Sequence, residues 1–357
     1  MALVTEQQIL DALKNVEDPD LHKDIVTLGF VHDVRICEGS VTLEIRLTTP
    51  ACPVKEQMQK QATELVSAIA GVQNVNVSMT AEVRQHMGLA AHALQKIKNI
   101  VAIGSGKGGV GKSTVTVNLA ASFALDGARV GLLDADIYGP SIPRMMGKEG
   151  ETLDRDQKII PKVAHGIRFM SMGFFAPGDQ PLIWRGPMAH RALEQSLMDV
   201  EWGELDYLFV DLPPGTGDVH LTLVQTVPIT GGVIVSTPQD IGLHISMKTL
   251  RMFEQTNVKI LGIIENMSYH ICSQCNARED IFGHGGAQNA SQVNHIPFLG
   301  EIPLEASIRR QADAGTPVVL SHPQSPSALV YREIARKLAA QISIVNYGAQ
   351  KLVIENV

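Results

Sequence analysis

Short apolar runs alternate with helical stretches from about residue 98 to the end of the chain. Runs of about four to eight apolar residues that are bounded by glycine, proline or polar residues predict buried strands. These runs lie at residues 101–104, 128–134, 167–172, 207–211, 232–236, 260–265 and 298–302. Helical stretches separate most of them, which is typical of repeated βαβ units around a parallel sheet. We therefore predict an α/β fold with a mostly parallel twisted sheet over residues 98–345, ending in a helix at about 326–342.

The first eighty residues follow a different pattern. Apolar residues at helical spacing predict a first helix over residues 9–16, and Pro53 is placed to open a second one that runs to about Ala70. Alternating apolar and polar residues predict strands at 30–36, 41–47 and 75–79, the first two joined by a hairpin turn. We therefore predict a small α+β domain at residues 1–80. Residues 81–97 show no clear period and are predicted to be a linker, and residues 346–357 to be a C-terminal tail.

Composition narrows the class of protein. Hydrophobic residues make up 45% and charged residues 19% of the 357, which is ordinary for a globular chain long enough for two domains. The net charge of −7 argues against a nucleic-acid surface, and no apolar run approaches the roughly 18 residues that a membrane span requires. Four cysteines are too few for a disulfide scaffold, and the N-terminus lacks the layout of a signal peptide. We therefore expect a cytoplasmic protein with neither nucleic acid nor membrane as a partner.

The strand that ends at Gly104 leads into a glycine-rich loop and then into a helix. Residues 106–113 fit the phosphate-loop pattern G-x-x-x-x-G-K-[ST] in the strand–loop–helix setting that the pattern requires. Glycines let backbone N–H groups turn toward an anion, Lys112 reaches the β- and γ-phosphates, and the Ser113 hydroxyl ligates Mg²⁺. The alternative is a glycine-rich turn without a ligand. The predicted nucleotide-binding residues are Gly106, Lys107, Gly108, Gly109, Val110, Gly111, Lys112, Ser113 and Thr114.

Carboxylates follow two of the strands. Asp211 ends one strand, downstream of the phosphate loop, and is therefore predicted to support Mg²⁺. The glycine-rich run 215–218 that follows is predicted to move with the γ-phosphate, as switch loops do. The alternative is that Asp211 only caps the strand. Asp134 and Asp136 lie two residues apart at the end of another strand and point the same way if the chain is extended. One of them would then orient the attacking water while the other supports the metal or Lys112. The alternative is a pair of solvated loop carboxylates.

A C-x-x-C loop with Cys272 and Cys275 follows the strand at 260–265. Two thiolates at this spacing bind one metal centre from one side, but Zn²⁺ or a cubane cluster requires four ligands. His270 and His284 are the nearest other candidates, and a symmetric dimer would instead supply the cysteine pair twice. The spacing alone leaves open a redox C-x-x-C or a zinc site that uses a histidine.

Cys52 stands between Pro50 and Pro53 at the start of the predicted second helix. A cysteine at a helix N-terminus is expected to have a lowered pKa and to be available as a thiolate. A half-buried structural cysteine is the alternative. The segments 18–20, 24–29 and 48–53 resemble the small domain shared by several iron–sulfur assembly proteins, which implies that Cys52 accepts, passes on or docks a cluster.

Two wider resemblances follow from the motifs. The phosphate loop, with its extra lysine at Lys107, resembles the deviant loop of the MinD/ParA class, in which that lysine reaches across a dimer to the partner's nucleotide. Together with this loop, residues 134–141, 184–187, 211–218 and 265–275 resemble the Mrp (ApbC-type) iron–sulfur cluster carrier ATPases over nearly the whole chain.

The Mrp resemblance implies a specific assignment of residues. The MinD/ParA resemblance already implies a nucleotide-sandwich homodimer with Lys107 acting in trans, to which a solvated loop lysine is the alternative. The Mrp resemblance implies that Asn266 contacts adenine. It also implies a [4Fe–4S] cluster bridged between subunits by Cys272 and Cys275 and passed to apo iron–sulfur proteins. Cluster assembly or scaffold proteins are the further partners that it implies.

We expect an ATPase in which Asp136 positions the attacking water while Asp134 and Asp211 support the metal. ATP would bias the dimer between geometries and so change how tightly the thiolates hold the cluster. Two other functions stay open, namely a MinD/ParA-like positioning ATPase on a membrane or DNA–protein complex and a regulatory module that binds nucleotide without hydrolysis. The positioning ATPase predicts a basic amphipathic tail or a basic patch, and residues 348–357 form neither.

Overall fold

A computed structural model of the chain describes residues 4–37, 39–52, 54–84, 94–137, 139–150, 152–155, 158–175, 186–215, 223, 227–272 and 274–354. Several predictions made from the sequence lie outside these ranges, namely those on Pro53, most of the linker (85–93), Trp184, Arg185 and residues 216–218 of the proposed switch loop. None of the helices within these ranges combines the length and apolar character that crossing a bilayer demands.

Residues 6–81 form a small α+β domain. Its elements are α1 (Glu6–Leu13), β1 (Glu17–Asp18), β2 (Lys23–Asp24), β3 (Val31–Cys37), β4 (Ser40–Leu47), α2 (Lys55–Ser67) and β5 (Asn74–Ala81). Strand β4 lies at the centre of a three-stranded sheet, antiparallel to β3 and parallel to β5. Its alternate residues Val41, Leu43, Ile45 and Leu47 are buried, which is the period-two pattern of a strand with one covered face.

Residues 97–354 form the larger α/β domain. Its elements are β6 (Ile97–Gly104), α3 (Lys112–Leu125), β7 (Val130–Asp134), α4 (Ile142–Met145), β8 (Leu153–Arg155), β9 (Lys158–Ile160), β10 (Lys162–Ala164), β11 (Ile167–Ser171), a 3₁₀ helix (Met172–Phe175), α5 (Gly186–Met198), β12 (Leu205–Asp211), β13 (Gly231–Ser236), α6 (Asp240–Gln255), β14 (Ile260–Glu265), β15 (His270–Ile271), β16 (Arg278–Glu279), α7 (Gly286–Asn294), β17 (Phe298–Glu301), α8 (Ala306–Asp313), α9 (Val318–Ser321) and α10 (Pro326–Ile354).

The large domain is built on an eight-stranded sheet in the order β10-β11-β7-β12-β6-β13-β14-β17. All neighbouring strands are parallel except β10 and β11, so the predicted mostly parallel sheet is confirmed. Every residue of β7, β12 and β13 is buried, as expected for strands covered on both faces. Helix α3 packs on β7 and β12 and against α10, while α6 packs on β13 and against α7. The edge strand β10 was not predicted, because a strand of three residues is too short to show a period of apolar and polar positions.

The small domain contacts the amino-terminal edge of this sheet. Tyr207, near the start of β12, donates its hydroxyl to Thr49 Oγ1 at 3.3 Å. Thr48 Oγ1 donates to Ser343 Oγ of helix α10 at 3.1 Å. The Tyr207 contact lies at the opposite end of β12 from its carboxyl end. Ligands bind at the carboxyl ends of the strands in such sheets.

Helix α10 extends past its predicted end near residue 342. It continues to Ile354, so the prediction of a separate tail from residue 346 is wrong for the described part of that segment. Lys23 Nζ of the small domain donates to the Tyr347 hydroxyl at 3.1 Å. The end of the helix thus has a tertiary partner, which sequence periodicity alone does not show.

Candidate functional site

The phosphate loop joins the carboxyl end of β6 to the start of α3. Gly109 and Gly111 both have a φ of 79°, in the left-handed region that favours glycine. A Cβ atom on Gly111 would lie 2.3 Å from Asn266 Nδ2, so only glycine lets the loop pass this close to the residue after β14. Residues 107–114 line a cavity of about 210 Å³, together with Asp136 and neighbouring residues. The loop therefore has the shape that its pattern predicts.

Asp211 is the hydrogen-bond centre beneath this loop. Its Oδ2 accepts hydrogen bonds from Lys112 Nζ and Ser113 Oγ, each at 2.6 Å. Its Oδ1 accepts one from Thr116 Oγ1, also at 2.6 Å. Asp211 is fully buried and the Lys112 side chain is 6% exposed. The structure thus brings Asp211, Lys112 and Ser113 together and adds Thr116, which the pattern did not identify although it lies one helical turn after Lys112.

Asp134 and Asp136 have different surroundings. Asp134 is fully buried, and its Oδ2 accepts hydrogen bonds from the Ile142 N–H and Ser171 Oγ, each at 3.1 Å. Its Oδ1 accepts the Asp136 N–H at 3.2 Å, which turns the chain, so the extended geometry in which both carboxylates point the same way is absent here. Burial and the nearby Asp211 carboxylate raise the pKa of Asp134 to about 7. Asp136, by contrast, lines the phosphate-loop cavity.

Lys107 lines the same cavity. Its Nζ donates a hydrogen bond to Gln239 Oε1 of the same chain at 2.9 Å. Gln239 lies between β13 and α6, at the same edge of the sheet. The reach of Lys107 to a partner's nucleotide stays a prediction.

A second cavity, of about 240 Å³, lies beside the loop at Gly111 and Thr114. Asn266 lines it and donates its side-chain amide to the Val110 carbonyl at 2.7 Å. The other lining residues are Met145, Met267, Pro303, Leu304, Glu305, Ile308, Arg309, Ala312, Asp313 and Tyr331. Apart from Gly111 and Thr114 of the loop itself, Asn266 is the one lining residue of this cavity that the sequence analysis identified. The position of residues 303–305 after the end of β17 was the signal that could have found more, because strand ends of a parallel sheet share one edge.

Glu265 anchors the segment that leads from this cavity to the cysteines. It is fully buried at the end of β14, and its Oε1 accepts hydrogen bonds from Ser268 Oγ at 2.6 Å and from the Gly285 N–H at 3.1 Å. Its Oε2 accepts the Ala287 N–H at 2.7 Å. This single carboxylate therefore fixes both the turn after β14 and the first turn of α7. The apolar run that predicted β14 gave no indication of this role.

Cys272 and Cys275 lie on the short hairpin of β15 and β16. Its loop is closed by hydrogen bonds from the Cys272 N–H to the Ala277 carbonyl and from the Asn276 N–H to the Cys272 carbonyl, each at 2.9 Å. Backbone N–H groups of Gln274 and Cys275 lower the pKa of Cys272. Cys272 is partly exposed and Cys275 is exposed. The loop therefore favours a thiolate and leaves both cysteines accessible.

The two histidines near this hairpin are engaged elsewhere. His270 Nδ1 is hydrogen-bonded to the Leu304 carbonyl at 2.9 Å, and His284 Nε2 lies 3.0 Å from the Glu301 carboxylate. Glu265, His284 and Glu301 place possible metal-ligand atoms within 4.8 Å of one another. Because the Glu265 oxygens already accept three hydrogen bonds, we interpret this group as an anchor of the loop. The described contacts thus give no support to a zinc site that pairs the cysteines with a histidine.

Cys52 does not have the properties predicted for it. Burial raises the pKa of Cys52 to about 11. A hydrogen bond from the Val54 N–H lowers this pKa, whereas the nearby Asp18 and Asp20 carboxylates raise it further. Helix α2 begins only at Lys55, so the thiol does not lie within its first turn. The prediction of a lowered pKa is therefore wrong, because desolvation outweighs the effect of the helix.

The structure also separates Cys52 from the cysteine pair. Cys52 lies three residues after Thr49, which accepts a hydrogen bond from the Tyr207 hydroxyl at the amino-terminal edge of the sheet. Cys272 follows the carboxyl end of β14. The two thiol sites therefore lie at opposite edges of the large sheet.

Comparisons with known proteins match both domains. Residues 96–339 match the family described as NUBPL iron-transfer P-loop NTPase, and residues 6–79 match the family described as iron–sulfur cluster assembly protein. The chain is 49% identical over 339 residues to the iron–sulfur cluster carrier protein of Deinococcus radiodurans, covering 94% of this chain and 95% of that protein. The resemblances drawn from the sequence motifs are therefore confirmed.

Solved structures support the same fold. A nucleotide-binding protein from Archaeoglobus fulgidus, in complex with ADP, is 40% identical with a TM-score of 0.58, covering 66% of this chain and 93% of that one. The cell division ATPase MinD of Pyrococcus furiosus is 23% identical with a TM-score of 0.50, covering 67% and 98%. The MinD likeness shows the fold alone, so a positioning function gains no support from it.

Proposed function

This chain belongs to the NUBPL iron-transfer P-loop NTPase family, and from that premise we propose that it hydrolyses ATP and carries an iron–sulfur cluster to apo-proteins. One observation carries the proposal. The phosphate loop and the Cys272–Cys275 hairpin extend from the same edge of one sheet, and Asn266, which contacts the loop, lies on the segment that leads to Cys272. A nucleotide at the loop is thus placed to influence the thiols through a short, anchored stretch of backbone.

The proposed nucleotide site assigns a part to each loop residue. The backbone N–H groups of the loop and the Lys112 ammonium hold the phosphates. The Ser113 hydroxyl and the Asp211 carboxylate are the oxygen ligands that would hold Mg²⁺, and their shared position under the loop fits that ion. Mg²⁺, when bound, neutralises charge on the phosphates. The cavity beside Asn266 takes the adenine.

Asp136 is the residue that we propose to position the attacking water, because it lines the phosphate-loop cavity. Asp134 is proposed to position Asp136, because its carboxylate accepts a hydrogen bond from the Asp136 N–H. It is not proposed to contact the nucleotide. Lys107, on the exposed part of the loop beside Gly108 and Gly109, is proposed to reach the partner's nucleotide in a homodimer. Such a lysine would stabilise charge in the transition state, as an arginine finger does.

The cluster is the cargo, and Cys272 and Cys275 are its proposed ligands. A [4Fe–4S] cluster takes four thiolates, and one hairpin offers two, so two copies of the chain complete the set. The same dimer would bring Lys107 to the facing nucleotide. The lowered pKa of Cys272 supports its use as a thiolate ligand.

The small domain is proposed to receive cluster assembly proteins. Because Cys52 lies at the far edge of the sheet with a raised pKa, direct transfer from Cys52 to Cys272 within one chain would require the small domain to move. We therefore propose that Cys52 serves a contact with another protein. Apo iron–sulfur proteins are the proposed recipients in the cytoplasm, with neither membrane nor nucleic acid involved.

Anaerobic reconstitution with iron and sulfide tests the cluster assignment. The unsubstituted protein should bind iron and sulfide, and the Cys272→Ala/Cys275→Ala protein should bind almost none. The Cys37→Ala/Cys52→Ala protein is the matched control and should keep its iron and sulfide, since these cysteines lie in the other domain. Unchanged iron and sulfide in the Cys272→Ala/Cys275→Ala protein would sink the assignment.

A further inference from the structure

Tyr331 is fully buried, and its hydroxyl has no hydrogen-bond partner in the described part of the protein. A buried hydroxyl without a partner is unfavourable, so it calls for an explanation. Six buried side-chain atoms share this property among the described residues, on Asp126, Trp202, Thr237, Thr249, Tyr331 and Arg332. Of these residues, Tyr331 is the one that lines the second cavity beside the phosphate loop.

The second cavity has the lining expected for a flat aromatic ligand. Met267, Pro303 and Ile308 supply apolar walls, and Asn266 and Glu305 supply polar groups. Apolar walls with a few polar groups that fix orientation are typical of small-molecule sites. Because the cavity adjoins the phosphate loop at Gly111 and Thr114, a nucleotide whose phosphates lie in the loop would place its base here.

Helix α10 places Tyr331 close to the helix that follows the phosphate loop. Tyr331 lies near the start of α10, and α10 packs against α3, the helix that begins with Lys112. A hydroxyl both donates and accepts, so it can donate to a ring nitrogen of adenine or accept from its amino group. The side-chain amide of Asn266 donates one of its two N–H groups to the Val110 carbonyl, and Asn266 lines the same cavity as Tyr331.

We propose that the Tyr331 hydroxyl forms a hydrogen bond with the edge of the adenine ring and is a specificity-determining residue of the nucleotide site. The inference rests on the proposed function, since it takes the ligand of this site to be ATP or ADP. The proposed hydrogen bond explains why this buried position holds a tyrosine, although a phenylalanine would fill the same space.

Tyr331→Phe in the full chain tests the inference, with binding of Mg·ADP and of inorganic tripolyphosphate measured by calorimetry. We expect the affinity for ADP to fall about fivefold, the effect of losing one neutral hydrogen bond. The affinity for tripolyphosphate, which has no base, should stay within about twofold of the unsubstituted value, because Tyr331 touches only the base. Thermal unfolding without ligand should be unchanged or shifted upward, since the deleted hydroxyl has no partner.

Tyr207→Phe is the matched control. Tyr207 is also fully buried, but its hydroxyl donates to Thr49 in the domain contact, so this variant should lose stability and keep its ADP affinity. Unchanged ADP affinity in Tyr331→Phe would overturn the inference, as would an equal loss of ADP and tripolyphosphate affinity. If the unsubstituted protein bound neither ligand, the proposed nucleotide site itself would fail and the inference with it.

Discussion

The Asn266 side-chain amide donates to the Val110 carbonyl at 2.7 Å, so the end of β14 is tied directly to the phosphate loop. The chain then turns at Met267, which has a φ of 56°, and Glu265 holds Ser268 on the far side of that turn. The hairpin with Cys272 follows at once. The proposed nucleotide and cluster sites are thus neighbours along one strand end.

Glu265→Ala is expected to destabilise the fold. The change leaves the Ser268 hydroxyl and the N–H groups of Gly285 and Ala287 without their acceptor, and we expect a loss of roughly 2–4 kcal/mol in the free energy of unfolding. Urea unfolding measures it. Glu265→Gln keeps one acceptor oxygen and should lose less. A loss below about 0.5 kcal/mol for Glu265→Ala would contradict the anchoring role.

Asp211→Ala is expected to abolish most ATP hydrolysis and to weaken the fold. It leaves the buried Lys112 ammonium unpaired, at a cost of about 3–5 kcal/mol in unfolding free energy, and we expect phosphate release to fall at least about 100-fold. Asp206→Ala is a control on the same strand, where the carboxylate pairs with Arg129 and Lys98 at the other end. That variant should retain phosphate release. Near-normal turnover by folded Asp211→Ala would exclude Asp211 from the site.

The pKa of Asp134 predicts how stability depends on pH. Burial raises this pKa from its ordinary 3.8 to about 7, so the folded chain keeps a proton that the unfolded chain has lost. The protonated Asp134 carboxyl contributes fully to the free energy of unfolding below about pH 4, and this contribution is lost as the pH rises to about 7. Urea unfolding at several pH values should therefore show a steeper loss between these limits for the unsubstituted protein than for Asp134→Asn. Parallel curves for the two proteins would show that Asp134 does not titrate in this range.

Thiol reactivity should differ between the two cysteine sites. The pKa of Cys272 is lowered and that of Cys52 is raised to about 11, so near neutral pH iodoacetamide should modify Cys272 at least about tenfold faster than Cys52. Peptide mass spectrometry at short reaction times measures both rates. In urea, where burial is lost, the rates should converge. Faster modification of Cys52 in the folded protein would show that the fold does not shield this thiol.

Local pattern was sufficient to predict the parallel sheet and the phosphate loop. An apolar run such as 207–211 is long enough to identify a strand, and the loop depends on residues that are adjacent in sequence. The placement of Asp211 near the loop follows from the same reasoning, because parallel strands end at one edge.

Features that depend on tertiary contacts could not be predicted in this way. The raised pKa of Cys52 results from desolvation by the surrounding fold. The buried Asp134 carboxylate accepts hydrogen bonds from the Ile142 N–H and Ser171 Oγ, which come from other segments of the chain. Tyr331 lies far along the chain from the phosphate loop, so only helix packing places it at the second cavity. In each case the decisive contact joins residues that no local period connects.

Native mass spectrometry of the reconstituted protein tests the central claim most directly, since it reports the cluster and the number of chains in one mass. The account predicts a dimer that carries one four-iron, four-sulfide cluster and that falls apart into chains without iron when the cluster is removed or when Cys272 and Cys275 are replaced by alanine. A single chain holding a complete cluster, or a dimer whose iron content is unaffected by those replacements, would contradict it.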